Sequence, residues 1–296
     1  MCVKYYNMVR YTTQMPSLTV GKHTLAPALV ARIIADIKQT RYPVDDALVR
    51  SGLARALPEH RRVLARLAEG MPDARIRRSE DYKALIKSVR SRLRRKVGMF
   101  VRGNATSGLL SHASARERSA HYDLLYKKIF AITGKPRRIL DLACGLNPLS
   151  VAHMNLARVD YEAWDVAKPL VDEVDEFFAK AKHHGVRGVA RVIDVHRLAK
   201  EDLFADTPHA DVCFLFKALD SLEPAKGHKF AELLLSRVPA RWIAATFSTK
   251  TIGGRPMRHP YRGWMDRMLT RRGWRFTEFE VGDEIVYIID KENNNI

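Results

Sequence analysis

The segment Arg137-Arg138-Ile139-Leu140-Asp141-Leu142-Ala143-Cys144-Gly145-Leu146-Asn147-Pro148-Leu149 decides the fold. Its apolar opening has the length and composition of a buried parallel strand. The small residues Ala143, Cys144 and Gly145 then mark a sharp turn, where only small side chains let backbone N–H groups approach a ligand. Asn147-Pro148 predicts a helix start, with Asn as cap and Pro in the first turn. A dinucleotide-binding turn would need G-x-G-x-x-G. Only Gly145 is present, and Asp141 puts a carboxylate where a pyrophosphate would be repelled. The same carboxylate suits an ammonium group, and S-adenosylmethionine carries an ammonium, a sulfonium and no phosphate.

Downstream of this turn, strands and helices alternate. Strands are expected at 137–142, 159–164, 187–193, 211–216 and 242–247, with helices at 147–157, 168–183, 218–237 and 259–272. Two final strands are expected near 274–280 and 284–290. That alternation predicts an α/β domain with a parallel, doubly wound sheet, whose ligands sit beyond the C-terminal strand ends. The residues at those ends are Asp141, Asp165, Asp194 and Lys217. Asp165 follows Gly145 by 20 positions, the spacing at which a carboxylate reaches ribose hydroxyls. Asp194 is placed to accept from an adenine amino group, with Val195 packing on the ring. Strand ends are often polar, so each acid alone says little. Three in succession beside the small-residue turn point to a nucleoside ligand.

Upstream the chain changes character. Leu29, Ile33, Ile34 and Ile37 recur at helical spacing. Further helices are expected at 44–56, 58–69 and 79–96, the last capped by Ser79. Residues 1–22 read as irregular, and no strand signal appears between 24 and 105. Residues 1–105 therefore form a helical subdomain, joined through the linker Gly103–Gly108 to the α/β domain at 106–296. The chain has 296 residues and is 46% hydrophobic, enough for a substantial core. Its net charge of +18 is unevenly spread: residues 1–110 hold 22 basic and 8 acidic side chains, and residues 111–296 hold 29 and 25. Such asymmetry favours a polyanionic partner contacted by the N-terminal third. Charge runs are usually solvated faces. Here Arg77, Arg78, Lys87, Arg92, Arg94, Arg95 and Lys96 have few acidic neighbours, and they are the candidate phosphate contacts.

Cys2, Cys144 and Cys213 show neither a disulfide framework nor metal-ligand spacing, which fits the cytoplasm. No apolar run approaches the ~18 residues of a membrane span, and the first residues lack the apolar stretch of a signal peptide. No metal and no membrane are expected, and the chain is expected to act as a monomer.

Taken together, Asp141-Leu142-Ala143-Cys144-Gly145-Leu146-Asn147-Pro148-Leu149 resembles the 16S ribosomal RNA methyltransferases that confer aminoglycoside resistance by methylating guanine N7 in the decoding site. The resemblance extends to Ser114 and Arg116-Glu117-Arg118, to Lys217, and to Thr246-Phe247, Thr249-Lys250 and Gly253-Gly254-Arg255. It ends with Gly282, Glu284 and Tyr287; Ala115 stands where the family usually has Thr. It implies a Rossmann-like class I methyltransferase sheet with an N-terminal α-helical subdomain. The implied cofactor is S-adenosyl-L-methionine and the implied partner is 16S rRNA in the 30S subunit. Arg118 would bind the methionine carboxylate, Asp165 the ribose and Asp194 the adenine. Asp141, Ala143, Cys144, Gly145, Asn147, Pro148, Val166, Val195, Phe216 and Lys217 complete the expected cofactor set. Lys217, Lys250, Arg255 and Glu284 would position the substrate, with the loop 248–258 as a clamp. Trp264 is a possible base-stacking partner, although aromatics in amphipathic helices are more often core. Guanine N7 has no proton to lose, so no residue is assigned as acid or base. Methylation at another RNA atom such as adenine N1, a small-molecule substrate, and a non-catalytic RNA-binding protein are the alternatives. A small-molecule enzyme has no use for so basic an N-terminal region.

Overall fold

The computed structural model describes residues 16–38, 46–70, 73–93, 118–181, 185–201, 204–223, 227–251 and 254–294. The chain divides into two compact units, residues 1–94 and 95–296. The expected linker 103–108 lies outside the described residues.

In the first unit, helices α1 (Pro27–Lys38), α2 (Asp46–Ala56), α3 (Arg61–Ala68), α4 (Asp73–Arg78) and α5 (Glu80–Leu93) pack on one another. Of the expected apolar stripe, Ile33, Ile34 and Ile37 are buried, and Val30 joins them in the core while Leu29 stays half-buried. Ser79 caps α5: its Oγ accepts from the N–H of Tyr82 at 3.3 Å. The N-terminal stretch departs from the irregular reading. Leu18–Val20 (β1) and His23–Leu25 (β2) form an antiparallel hairpin. Its two-residue turn is Gly21-Lys22, with Gly21 at φ +59°. A three-residue strand is too short for alternation to stand out, and the positive φ that Gly supplies is the feature that closes it.

The second unit holds a seven-stranded sheet in the order β5-β4-β3-β6-β7-β9-β8. The strands are β3 (Arg138–Leu142), β4 (Val159–Asp165), β5 (Val186–Val192), β6 (Ala210–Phe216), β7 (Ala240–Ser248), β8 (Trp274–Val281) and β9 (Glu284–Asn294). Strands β3 to β7 are parallel. The wholly parallel sheet expected from the alternation is corrected at its end, because β9 runs antiparallel to both β7 and β8. A two-residue turn, Gly282-Asp283, joins β8 to β9, and a turn that short can only reverse the chain.

Helices cover both faces. Cys213 and Leu215 of β6 face one core, and Val212, Phe214 and Phe216 face the other. Period-two alternation with both sides apolar is why the sequence there reads as an unbroken hydrophobic run. The first core is covered by α8 (Val195–Glu201), α9 (Leu219–Leu222), α10 (Lys229–Arg237) and α11 (Gly263–Arg271). The second is covered by α6 (Tyr122–Thr133), a 3-10 segment Asn147–Met154 and α7 (Lys168–Ala181). Each large side chain buried this way contributes roughly 1.5–3 kcal/mol. Among the described residues no helix is long and apolar enough to cross a membrane.

Candidate functional site

Parallel strands end together, so the loops after β3, β4, β5 and β6 converge on one cavity that opens to solvent. From the sequence-derived set, Arg118, Ala143, Cys144, Gly145, Asp165, Val166, Asp194, Val195, Phe216 and Lys217 line it. Ala167, Leu170, Ile193, His196, Ala218, Ser221 and Leu222 line it as well. Those residues escaped the sequence reading because they lie a few positions beyond the strand ends, and their types are ordinary for helix starts. Only position relative to a strand end could have found them. His196 is the notable one, a buried imidazole stacked on Phe230 with ring centroids 4.3 Å apart.

Two of the four non-glycine residues with positive φ among the described residues stand at the same place. Ala143 and Lys217, at the ends of the adjacent strands β3 and β6, have φ of +53° and +54°. Left-handed conformations of non-glycine residues cost on the order of 1–3 kcal/mol each and persist where the surroundings impose them. Gly145, also at φ +53°, completes the turn without that cost.

Asp165 ties two of the loops together. One carboxylate oxygen accepts from the N–H of Gly145 and the other from the N–H of Ala167, both at 2.9 Å. Burial raises its pKa above the usual carboxylate range, against the lowering effect of those backbone donors. The carboxylate retains acceptor capacity that a ribose hydroxyl could use. Asp194 caps α8, its Oδ1 accepting from the N–H of His196 at 3.1 Å. Cys144 lines the cavity as an inert thiol, its pKa pushed well up by burial.

Arg118 enters the cavity wall just ahead of α6 and is 4% exposed. Its Nε donates to Glu284 at 2.7 Å, its Nη1 donates to Asn147 Oδ1 at 3.3 Å, and the guanidinium lies 5.1 Å from the Phe216 ring centroid. Lys217 Nζ meets the same Glu284 oxygen atom at 3.1 Å. Burial alone would raise the Glu284 pKa, but the two cations hold it below its ordinary value. Glu284 is thus an ionised carboxylate clamped between Arg118 and Lys217, and does not line the main cavity. It borders a smaller one with Arg118, His121, Lys217 and Asp283.

Three expected cofactor contacts fall elsewhere. Asp141, Asn147 and Pro148 do not line the cavity, and Asn147 makes no capping bond to the helix start. They lie beneath the turn instead. Asp141 is 1% exposed, with its Oδ2 accepting from Tyr161 Oη at 2.6 Å and Asn147 Nδ2 at 2.9 Å. The Asn147 carbonyl faces Arg118 and Tyr126, both at 3.3 Å. The period-based reading correctly put Asp141 near a strand end. It could not show that the pleat turns that side chain down into the core. Burial raises the Asp141 carboxyl to about 7, overriding the lowering donors Tyr161 and Asn147. A carboxyl raised in the fold contributes stability that is complete below its unfolded value of ~3.9 and is lost as pH rises through the folded value. Asp141→Asn should remove that component, so wild type should lose ground to the variant between pH 5 and pH 8. Thermal melts at both pH values measure it; an equal offset at the two would refute it.

Lys250 pairs with Asp283 at 2.7 Å. The loop around it closes into a small hairpin, with Lys250 bridged to Pro256 and the N–H of Met257 bonded to the Thr249 carbonyl at 2.7 Å. Arg255 is exposed on this loop; neither residue lines the main cavity. Trp264 packs against the core and stacks on His228, with centroids 4.0 Å apart. In the first unit, Arg77 pairs with the buried Asp36, and Arg92 pairs with Glu59. The expectation of unneutralised charge is corrected at both positions, because partners 33 and 41 residues away cannot be seen from helical spacing. Arg78 and Lys87 are exposed. Arg94, Arg95, Lys96, Ser114, Arg116, Glu117 and Gly253 lie outside the described residues. Among the described residues, no group of three or more His, Cys, Asp or Glu is placed to hold a metal ion.

Comparison with known proteins adds a family match. A family model described as Ribosomal RNA methyltransferase (FmrO) matches residues 44–288. A 16S rRNA (guanine(1405)-N(7))-methyltransferase of Micromonospora echinospora is 31% identical over 277 residues, 90% of this chain and 91% of that protein. A protein of the same description from Micromonospora rosea is 34% identical over 189 residues, 61% of this chain, which spans 63% of that relative's length. The crystal structure of 16S rRNA methyltransferase RmtF, in complex with S-adenosyl-L-homocysteine, shares the fold. It has a TM-score of 0.66 and 24% identity, covering 88% of this chain and 97% of that one.

Proposed function

The chain belongs to the ribosomal RNA methyltransferase (FmrO) family, and from that membership we propose that it methylates N7 of a decoding-site guanine in 16S rRNA of the 30S subunit. The observation that carries the proposal is the single cavity where Arg118, Asp165, Asp194 and the strained turn at Ala143–Gly145 meet.

S-adenosyl-L-methionine fits these residues. The lining joins carboxylates for hydroxyl and amino donors to a buried cation for a carboxylate, and it has no glycine-rich phosphate cradle. Arg118 would hold the methionine carboxylate, Asp165 the ribose hydroxyls, and Asp194 with Val195, Ile193 and His196 the adenine. The cofactor supplies an electrophilic methyl group, which the in-plane lone pair of N7 accepts with no proton to remove. Positioning and electrostatics therefore suffice, and no general base is assigned. Lys217 and Glu284 would fix the geometry where cofactor and base meet, with Lys250 and Arg255 on the rim. The helical unit, read as residues 1–105, would supply phosphate contacts through exposed cations such as Arg78 and Lys87. These contacts offset the few kcal/mol needed to unstack the target base. The protein is taken to act as a monomer in the cytoplasm.

The new positive charge on N7 would repel the ammonium groups of gentamicin- and kanamycin-type drugs, and the loss of its acceptor lone pair would remove a hydrogen bond. Purified 30S subunits incubated with enzyme and cofactor should then break at one decoding-site guanine after borohydride and aniline treatment, as mapped by primer extension. Methyl transfer to an adenine, or none, would overturn the proposal.

Charge placement yields a further expectation. Replacing both Arg78 and Lys87 with Gln should flatten the salt dependence of subunit binding by about one to two units of slope. Cofactor affinity should not change. The same slope in variant and wild type would make these cations a solvated face only.

A further inference from the structure

We propose that Tyr261 is a fixed platform on which a nucleobase of the RNA substrate stacks; this rests on the RNA reading above. Tyr261 sits in the loop between β7 and α11 and is 58% exposed, more than any other large apolar side chain among the described residues. A lone exposed aromatic is ordinarily unremarked surface. This one is held in place. Its hydroxyl donates to Glu280 Oε1 of β8 at 2.7 Å, a surface hydrogen bond that ties its polar end to the sheet while the ring remains in water.

The next residue anchors the loop. Arg262 donates to Asp220 Oδ2 at 2.7 Å, and its guanidinium lies 5.2 Å from the Phe247 ring centroid. Asp220 belongs to α9, whose following residues Ser221 and Leu222 line the main cavity. Tyr261 thus adjoins a residue tied to the helix that lends Ser221 and Leu222 to the cavity. Arg255, Arg258 and His259 stand exposed on the same loop. An aromatic face on a loop that also carries exposed arginines suits a nucleic-acid strand: every base has a π-face, and arginines meet its phosphates. An apolar protein partner would instead meet exposed arginines along that loop and a carboxylate at the ring's hydroxyl. Preorganisation adds to the effect, since the ring need not be ordered on binding.

The test measures methyl transfer from labelled S-adenosylmethionine to purified 30S subunits. Tyr261→Ala should lower kcat/KM by about 5- to 150-fold, the range spanned by truncation of a stacking aromatic. Cofactor affinity by calorimetry and the melting temperature should stay at wild-type values. Tyr261→Trp and Tyr261→Phe should remain within about threefold of wild type, because both retain a stacking face. An alanine variant within twofold of an active wild type overturns the platform. So does a Phe variant as impaired as alanine, which would move the effect to the hydroxyl bond with Glu280. A wild type that transfers nothing to subunits brings down the RNA reading and this proposal together.

Discussion

Arg118→Met should lower the melting temperature by on the order of 10 °C and abolish measurable S-adenosylmethionine binding. The first effect follows from Glu284. That carboxylate is 3% exposed and takes its charge compensation from Arg118 and Lys217. Removing one partner of a buried ion pair costs roughly 3–5 kcal/mol when the remaining charge is left uncompensated. Lys217 still faces Glu284, which puts the cost at the low end of that range. In a unit of this size each kcal/mol corresponds to about 2–4 °C. The second effect follows from placement, since Arg118 is the one arginine lining the described cavity. Methionine is close in length and removes only the charge and the donors. The double variant Arg118→Met, Glu284→Gln tests the pairing. Lys217 still compensates Glu284 in the single variant, and neutralising that carboxylate takes its charge away from the Lys217 side chain, which is 8% exposed. The double variant should therefore recover neither stability nor cofactor affinity. Recovery of both, or a single variant melting within 2 °C of wild type, would show that Arg118 does neither job.

Asp165→Ala should weaken S-adenosylmethionine binding by about 10- to 150-fold, the equivalent of roughly 1.5–3 kcal/mol for a charged hydrogen-bonding group. Two losses combine. The acceptor for the ribose hydroxyls goes, and the N–H groups of Gly145 and Ala167 lose the carboxylate that joins their loops. The cost to folding should be smaller than the cost to binding. Burial already disfavours the ionised form of Asp165, so its removal relieves some desolvation while it frees two donors. Asp165→Asn keeps an acceptor and should fall between wild type and alanine. Calorimetric titration of the three proteins decides the matter: equal affinities would remove Asp165 from the binding site.

Some of this was written in local sequence and some was not, for physical reasons. Strand ends were legible because alternation of apolar runs with amphipathic helices fixes where a parallel strand stops. The residues at those ends, Asp165, Asp194 and Lys217, accordingly appear at the cavity. The small-residue turn was legible because a backbone that approaches a ligand excludes large side chains. The sequence by itself also determined the charge asymmetry, which depends on composition alone. Tertiary structure decided which way side chains point and whom they meet. The pleat of β3 sends Asp141 into the core, and Asn147 follows it by hydrogen bonding rather than capping a helix. Arg118 and Glu284 are 166 residues apart, as no periodicity could announce. Arg77 and Arg92 read as uncompensated until folding brought Asp36 and Glu59 to them. Local patterns record what each element prefers. Long-range ion pairs and buried polar partners exist only once the elements have packed.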